Sequence, residues 1–290
     1  MNNDRIQEIL DLMEEARLDY FLISDPQSIA YCTGYYNDPH ERMFVFMISK
    51  HGNHTLFMND LFYLEHDLDV NIVWHKDGQD AIQTIVDEMH FPGRIGIDKN
   101  WAAHFLLDLM KKLPDAKYIN ASPCVDLVRM KKDLQEQVLM IESSKINDAV
   151  MEEIIPFIQE GVTEKQLAKK LDELFFNHHS TCYGAIVAFG KNAADPHHEN
   201  DDTPLRKGDC VLIDMGCVYK GYCSDMTRTF FYEGILEEEI KVYEIVKKAN
   251  EAAEAMIKPG VKLSDIDKCA RKVISDEGYG KYFTHRLGHF

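Results

Sequence analysis

The segment Cys210-Val-Leu-Ile-Asp214-Met-Gly-Cys-Val-Tyr-Lys-Gly221-Tyr-Cys-Ser-Asp225-Met-Thr-Arg-Thr-Phe-Phe231 sets two β-rich runs on either side of Lys220-Gly221, and each run carries one aspartate. A two-residue turn at Lys220-Gly221 folds the chain back so that residues whose numbers sum to 441 face one another. Asp214 then meets Thr227, and Gly216 meets Asp225. Side chains alternate along a strand, so both aspartates lie on one face, diagonal to each other, with β-carbons roughly 7–8 Å apart. Two carboxylates at that spacing can converge on one cation or on a pair. A slip of one residue would send them to opposite faces, so the reading depends on the turn. The competing reading is a pair of solvated aspartates on an exposed strand. Against it, Asp214 follows Val211-Leu-Ile213, and a carboxylate ending a buried run needs compensation.

The chain has 290 residues, enough for two domains, and a formal net charge of -17. That charge, with no basic patch, argues against nucleic acid or an anionic membrane surface as partner. No apolar run is long enough to span a bilayer, and the N-terminus leads into an amphipathic pattern at Ile6, Ile9, Leu10 and Met13 rather than an apolar signal segment. The expectation is a soluble cytoplasmic protein. Seven cysteines, an odd number without close paired spacing, read as reduced thiols. Cys210, Cys217 and Cys223 lie near the aspartates, but their separations match no zinc pattern.

The first part alternates apolar strand-type runs (Tyr20-Phe-Leu-Ile23, Phe44 to Ile48, Thr55 to Met58, Ile72 to Trp74, Ile95 to Ile97, Tyr118-Ile119) with helical stretches near Ala81 to Met89 and Ala102 to Lys112. This is the pattern of an α/β domain. Pro26 is expected to open a loop, and no phosphate-binding glycine motif follows any strand. Ser122-Pro123 reads as a break, which places a domain boundary near residues 122 to 132; the division expected is 1–125 and 126–290. A long helical pattern follows through Val138, Ile141, Ala149 and Ile154. Thr163 and Gln166 have capping-box spacing ahead of Leu167, Leu171 and Leu174. Cys182 to Phe189 reads as one buried strand. The polar loop Gly190 to Arg206 then presents Pro196-His197-His198-Glu199 and runs directly into the strand of Asp214, so its histidines can reach the same open face. Leu236 to Met256 reads as a helix, Ser264 is expected to cap another through Ile274, and Gly278-Tyr-Gly280 turns the chain into His285-Arg-Leu-Gly-His289.

Taken in order, Leu205-Arg-Lys-Gly-Asp-Cys-Val-Leu-Ile-Asp214-Met-Gly, Ser224-Asp225-Met-Thr-Arg-Thr-Phe230 and His285-Arg-Leu-Gly-His289 resemble the motifs of the proline-specific metallopeptidases, Xaa-Pro dipeptidase (prolidase) and aminopeptidase P. Ile29-Ala-Tyr-Cys-Thr-Gly34-Tyr and Glu41-Arg-Met-Phe resemble the creatinase-type N-terminal domain. The resemblance covers nearly the whole chain. It implies an α/β N-terminal domain, a mixed sheet with helices, followed by an α+β pita-bread catalytic domain incomplete at its C-terminus. It further implies two divalent metal ions, manganese or cobalt ahead of zinc or iron. Carried onto this sequence, Asp214, Asp225 and His289 are metal ligands, His197 is catalytic, and His198 and His285 contact substrate. The substrates implied are short peptides with proline after the N-terminal residue, cleaved by a metal-activated water, and the assembly implied is a homodimer. An oxygen-rich shell with one imidazole suits Mn(II) or Co(II).

The family pattern continues beyond this histidine with another histidine and two glutamate motifs, whereas here Phe290 follows His289 directly. A chain of this length is therefore expected to be weakly active or inactive, and a fragment of an ordinary peptidase accounts for the intact upstream motifs. Two other functions fit the same fold: a metal-free creatinase-type amidinohydrolase, which the presence of Asp214, Asp225 and His289 opposes, and a non-catalytic peptide-binding relative.

Overall fold

The computed structural model describes residues 1–288. The chain divides into two compact units, Met1–Lys131 and the remainder from Lys132.

The first unit is built on six strands: β1 (Tyr20–Ile23), β2 (Val45–Ser49), β3 (Thr55–Asn59), β4 (Asn71–His75), β5 (Arg94–Ile97) and β6 (Lys117–Asn120), in the order β4-β3-β2-β1-β5-β6. β2 runs antiparallel to both β1 and β3, while β1/β5, β5/β6 and β3/β4 are parallel, so the sheet is mixed. Every residue of β1 is buried because both faces of the sheet are covered. Phe21 and Ile23 join one core with α1 (Asn3–Glu15), α2 (Pro26–Thr33) and α5 (Ser122–Met130). Tyr20 and Leu22 join the other with α3 (Ala81–Glu88) and α4 (Ala103–Lys112).

Two breaks expected from proline are helix starts instead. Pro26 is the first residue of α2, and Asp25 caps it by accepting from the Ser28 amide; proline at this position loses no helical hydrogen bond and arrives with its φ already set. Ser122-Pro123 likewise opens α5, whose Cys124, Val125 and Val128 pack in the N-terminal core. The boundary drawn at 125/126 thus falls inside α5, and the units divide after it.

The second unit holds α6 (Leu134–Ile154), α7 (Glu164–Asn177), α8 (Glu237–Glu254) and α9 (Leu263–Asp276), with β7 (Thr181–Cys182), β8 (Ile186–Phe189), β9 (Cys210–Met215), β10 (Cys217–Tyr219), β11 (Tyr222–Cys223) and β12 (Met226–Phe231). Strands order as β12-β9-β8 and β11-β10-β7. Asp133 and Glu136 form a capping box that starts α6, and Thr163 with Gln166 does the same for α7. Val150, Ile154, Leu167, Leu171 and Phe175 bury against the Val187, Val211 and Ile213 face of the sheet. Behind the hairpin, Ser143 and Asn147, one turn apart on α6, aim their side chains at the Cys217 and Met215 carbonyls. The buried strand expected over Cys182 to Phe189 is two strands, interrupted at Gly184 with φ +111°. Ser264 lies within the first turn of α9; the N-cap is Lys262, with no side-chain bond.

Candidate active site

Lys220 (φ 48°) and Gly221 (φ 85°) both take left-handed backbone, as a two-residue hairpin turn of the primed kind requires. Tyr219 pairs with Tyr222 and Val218 with Cys223. Beyond the Gly216 interruption the count is unchanged: Met215 pairs with Met226 and Asp214 with Thr227. No residue is inserted in either arm, so the register that puts Asp214 and Asp225 on one face holds through the hairpin.

Gly216 is where the two sheets part, and it has a steric reason to be glycine. A β-carbon there would stand 2.0 Å from Tyr183 Oη and 2.2 Å from the Ser224 carbonyl oxygen. Tyr183, in the β7–β8 connection, donates to that same carbonyl at 2.6 Å. The residue before Asp225 is thereby tied down from outside the hairpin. Burial raises the Tyr183 hydroxyl pKa above the ordinary tyrosine value, and the negative charges of Asp225 and Asp214 add to the shift. One phenol therefore feels both carboxylates.

Asp214 is half-buried on the open side of β9, where Val211, Ile213 and Met215 face the core. Its Oδ1 accepts from the Thr227 hydroxyl at 2.5 Å. Asp225 is exposed, between β11 and β12. Carboxylate oxygens are hard donors suited to Mn(II), Co(II) and related ions, so this pair fits the divalent metals implied by the resemblance. Burial pushes the neighbouring Cys182 and Cys210 thiols up to about 11 and raises that of Cys223. Among the described residues, no third His, Cys, Asp or Glu joins Asp214 and Asp225 in a close ligand group. His289, the remaining ligand expected, lies outside the described residues.

The histidines divide into two environments. His197 and His285 are exposed, with ring centroids 6.2 Å apart in edge-to-face contact, so the second unit brings a loop histidine against one from the far end of the chain. Arg271 on α9 holds the second by donating to the Phe283 and His285 carbonyls at 2.7 and 3.1 Å, and Asp267 accepts from the Leu287 amide at 2.8 Å. His198 turns the other way. Its Nε2 meets Glu164 Oε2 at 2.6 Å, which leaves Nδ1 alone for any substrate contact. Sequence reasoning missed Glu164 and Tyr183. A glutamate in the first turn of a helix is ordinary there, and a tyrosine in a buried-looking run reads as core.

Residues 138–290 match the family model described as metallopeptidase family M24, and residues 5–131 match that of the creatinase/prolidase N-terminal domain. The chain belongs to metallopeptidase family M24. An uncharacterized peptidase of Staphylococcus aureus is 32% identical over 294 residues, spanning 98% of this chain and 82% of the relative. Among solved structures, a dipeptidase from Pyrococcus horikoshii OT3 is 34% identical with a TM-score of 0.88, over 98% of this chain and 81% of that one. A prolidase from Thermococcus sibiricus is 30% identical with a TM-score of 0.91, over 100% and 81%. This M24 chain thus has the creatinase-type N-terminal domain and mixed α/β architecture of the prolidases, and membership marks it as a metal-dependent peptidase. No helix among the described residues is long and apolar enough to cross a membrane.

Proposed function

We propose that this M24 peptidase is an exopeptidase that hydrolyses Xaa-Pro bonds in short peptides, with Asp214, Asp225 and His289 as ligands to two divalent ions, manganese or cobalt in preference to zinc or iron. The observation that carries the reading is the register count kept on either side of Gly216, from Tyr219/Tyr222 to Asp214/Thr227, together with the Tyr183 hydroxyl bonded to the Ser224 carbonyl ahead of Asp225. Similarity to a dipeptidase and a prolidase over nearly the whole chain supports the substrate class.

Divalent ions bound there supply a water of lowered pKa and polarise the scissile carbonyl. The protein's own part is orientation. The Thr227 hydroxyl fixes the rotamer of Asp214, and the Tyr183–Ser224 bond fixes the backbone ahead of Asp225. His197, exposed on the same loop system, donates a ring N–H to the oxygen of the scissile carbonyl as negative charge develops on it. His285, edge-on to His197, contacts the substrate beside it, while Glu164 holds the Nε2 of His198. An imide bond before proline has no N–H to donate, so positioning must come from the peptide's termini and the proline ring. A cytoplasmic homodimer completes the proposal.

Titration of the protein with Co(II), followed by visible absorption, tests the ligand set, and proline release from Xaa-Pro dipeptides against Xaa-Ala controls tests the specificity. Co(II) bands that vanish in Asp225→Asn and metal-dependent release of proline are expected. Equal cleavage of Xaa-Ala and Xaa-Pro would contradict the substrate assignment.

A further inference from the structure

Glu164 is the most deeply buried carboxylate of the second unit that the proposed chemistry does not use: its side chain is 0% exposed. No lysine or arginine pairs with it among the described ion pairs, yet an ionised carboxylate in that position must be compensated. Four donors do so. Oε1 accepts from the Phe189 amide at 2.8 Å and from Asn192 Nδ2 at 2.9 Å. Oε2 accepts from the Asp201 amide at 3.1 Å and meets His198 Nε2 at 2.6 Å. Phe189, the last residue of β8, and Asn192 stand at the start of the 190–203 loop, and His198 and Asp201 stand towards its end. One side chain, presented by the first turn of α7, therefore closes the loop that carries His197.

Glu164, His198 and Asp201 also have ligand atoms within 4.8 Å of one another. Both oxygens of Glu164 are already filled by these donors, two on each, so the cluster is a hydrogen-bond clamp and offers no open carboxylate to a cation. The loop's far end has a second anchor on β8, where Asn200 accepts from the Val187 amide at 2.7 Å and donates to the Ala185 carbonyl at 2.7 Å. Between these anchors, His197 stays exposed and edge-on to His285.

We propose that Glu164 and His198 form a buried latch that positions His197 against His285, making both of them positioning residues for the peptidase reaction. The proposal rests on the role given to His197 above. His198 is then spent on its neighbour: its ring nitrogen anchors the loop so that the adjacent histidine can face outward.

The test compares the native protein with His198→Ala, His198→Gln and Glu164→Gln, with metal absent. Amide exchange over 190–203 reads the loop, and the nuclear Overhauser effect between the His197 and His285 rings reads the geometry. His198→Ala is expected to speed exchange of these amides by roughly tenfold, the effect of losing one charge-assisted hydrogen bond, and to weaken the ring-to-ring signal. His198→Gln, whose amide can donate to Glu164, is expected to restore both. Should Glu164→Gln fail to fold, the His198 pair decides alone. Native exchange and a native ring signal in His198→Ala would overturn the latch. With metal and an Xaa-Pro dipeptide, His198→Ala should lower kcat with KM little changed, and an unchanged kcat despite a loosened loop would overturn the positioning role. A native protein that releases no proline would defeat the proposed function and leave the metal-free measurements to judge the latch.

Discussion

The Thr227 hydroxyl donates to Asp214 Oδ1 at 2.5 Å directly across the β9–β12 ladder. Side chains paired across antiparallel strands are held by the register itself, so this bond orients the carboxylate before any ion arrives. Partners of this kind are worth about 10–100-fold in metal affinity where they have been removed. Thr227→Val should therefore weaken divalent-ion binding by about tenfold or more, and Thr227→Ser should keep it near native. Calorimetric titration of both variants measures the difference.

Gly216 admits no side chain. In Gly216→Ala the new methyl would press on the Tyr183 hydroxyl and on the Ser224 backbone carbonyl, and only the first can move cheaply. Overpacking of this type costs about 1–3 kcal/mol, occasionally more. Chemical denaturation should show that loss, and adding Tyr183→Phe should recover only part of it because the carbonyl stays in place.

Acid should loosen the segment that carries His285. Arg271 beside Asp267 holds this carboxyl below the ordinary carboxylate range, and the Leu287 amide lowers it further. A depressed folded-state pKa contributes stability that is present above the unfolded-state value and lost as pH falls through the folded one. The Leu287 amide should therefore be protected near neutrality, and its protection factor, the rate relative to an unstructured amide at the same pH, should fall as pH drops below about 4. Asp267→Asn should show the low protection at neutral pH, which exchange followed by mass spectrometry detects.

The thiols near the hairpin should be sluggish. With Cys182 and Cys210 near 11, roughly one in a thousand of these groups is thiolate at pH 8. Disulfide-exchange reagents should label them over hours in the folded protein and promptly after denaturation. Fast labelling of Cys210 in the native state would contradict this.

The turn was the most legible feature of the site. Lys220-Gly221 between two β-rich runs dictates a primed turn, and that turn fixes which residues face Asp214 and Asp225 without any knowledge of the rest of the chain. The cores were legible for the same reason, since apolar periodicity records burial. Proline misled twice. At Pro26 and Pro123 the ring starts a helix, and the signal that separates a start from a break, Asp25 capping Pro26, sits one residue upstream. Tyr183 was hidden because Cys182 to Phe189 is uniformly apolar to the eye, and only the left-handed Gly184 splits it. Glu164 was beyond sequence reasoning altogether. Its four partners come from residues 189, 192, 198 and 201, gathered by the fold rather than by spacing.

The most direct test of the proposed metal centre is the stoichiometry and affinity of Mn(II) or Co(II) in the native protein, Asp214→Asn and Asp225→Asn, measured by calorimetry alongside metal analysis. Saturable binding is expected in the native protein, with a loss of about tenfold or more in affinity in each variant. Binding that is equally tight in all three proteins would place the ion elsewhere and remove the basis for the proposed chemistry.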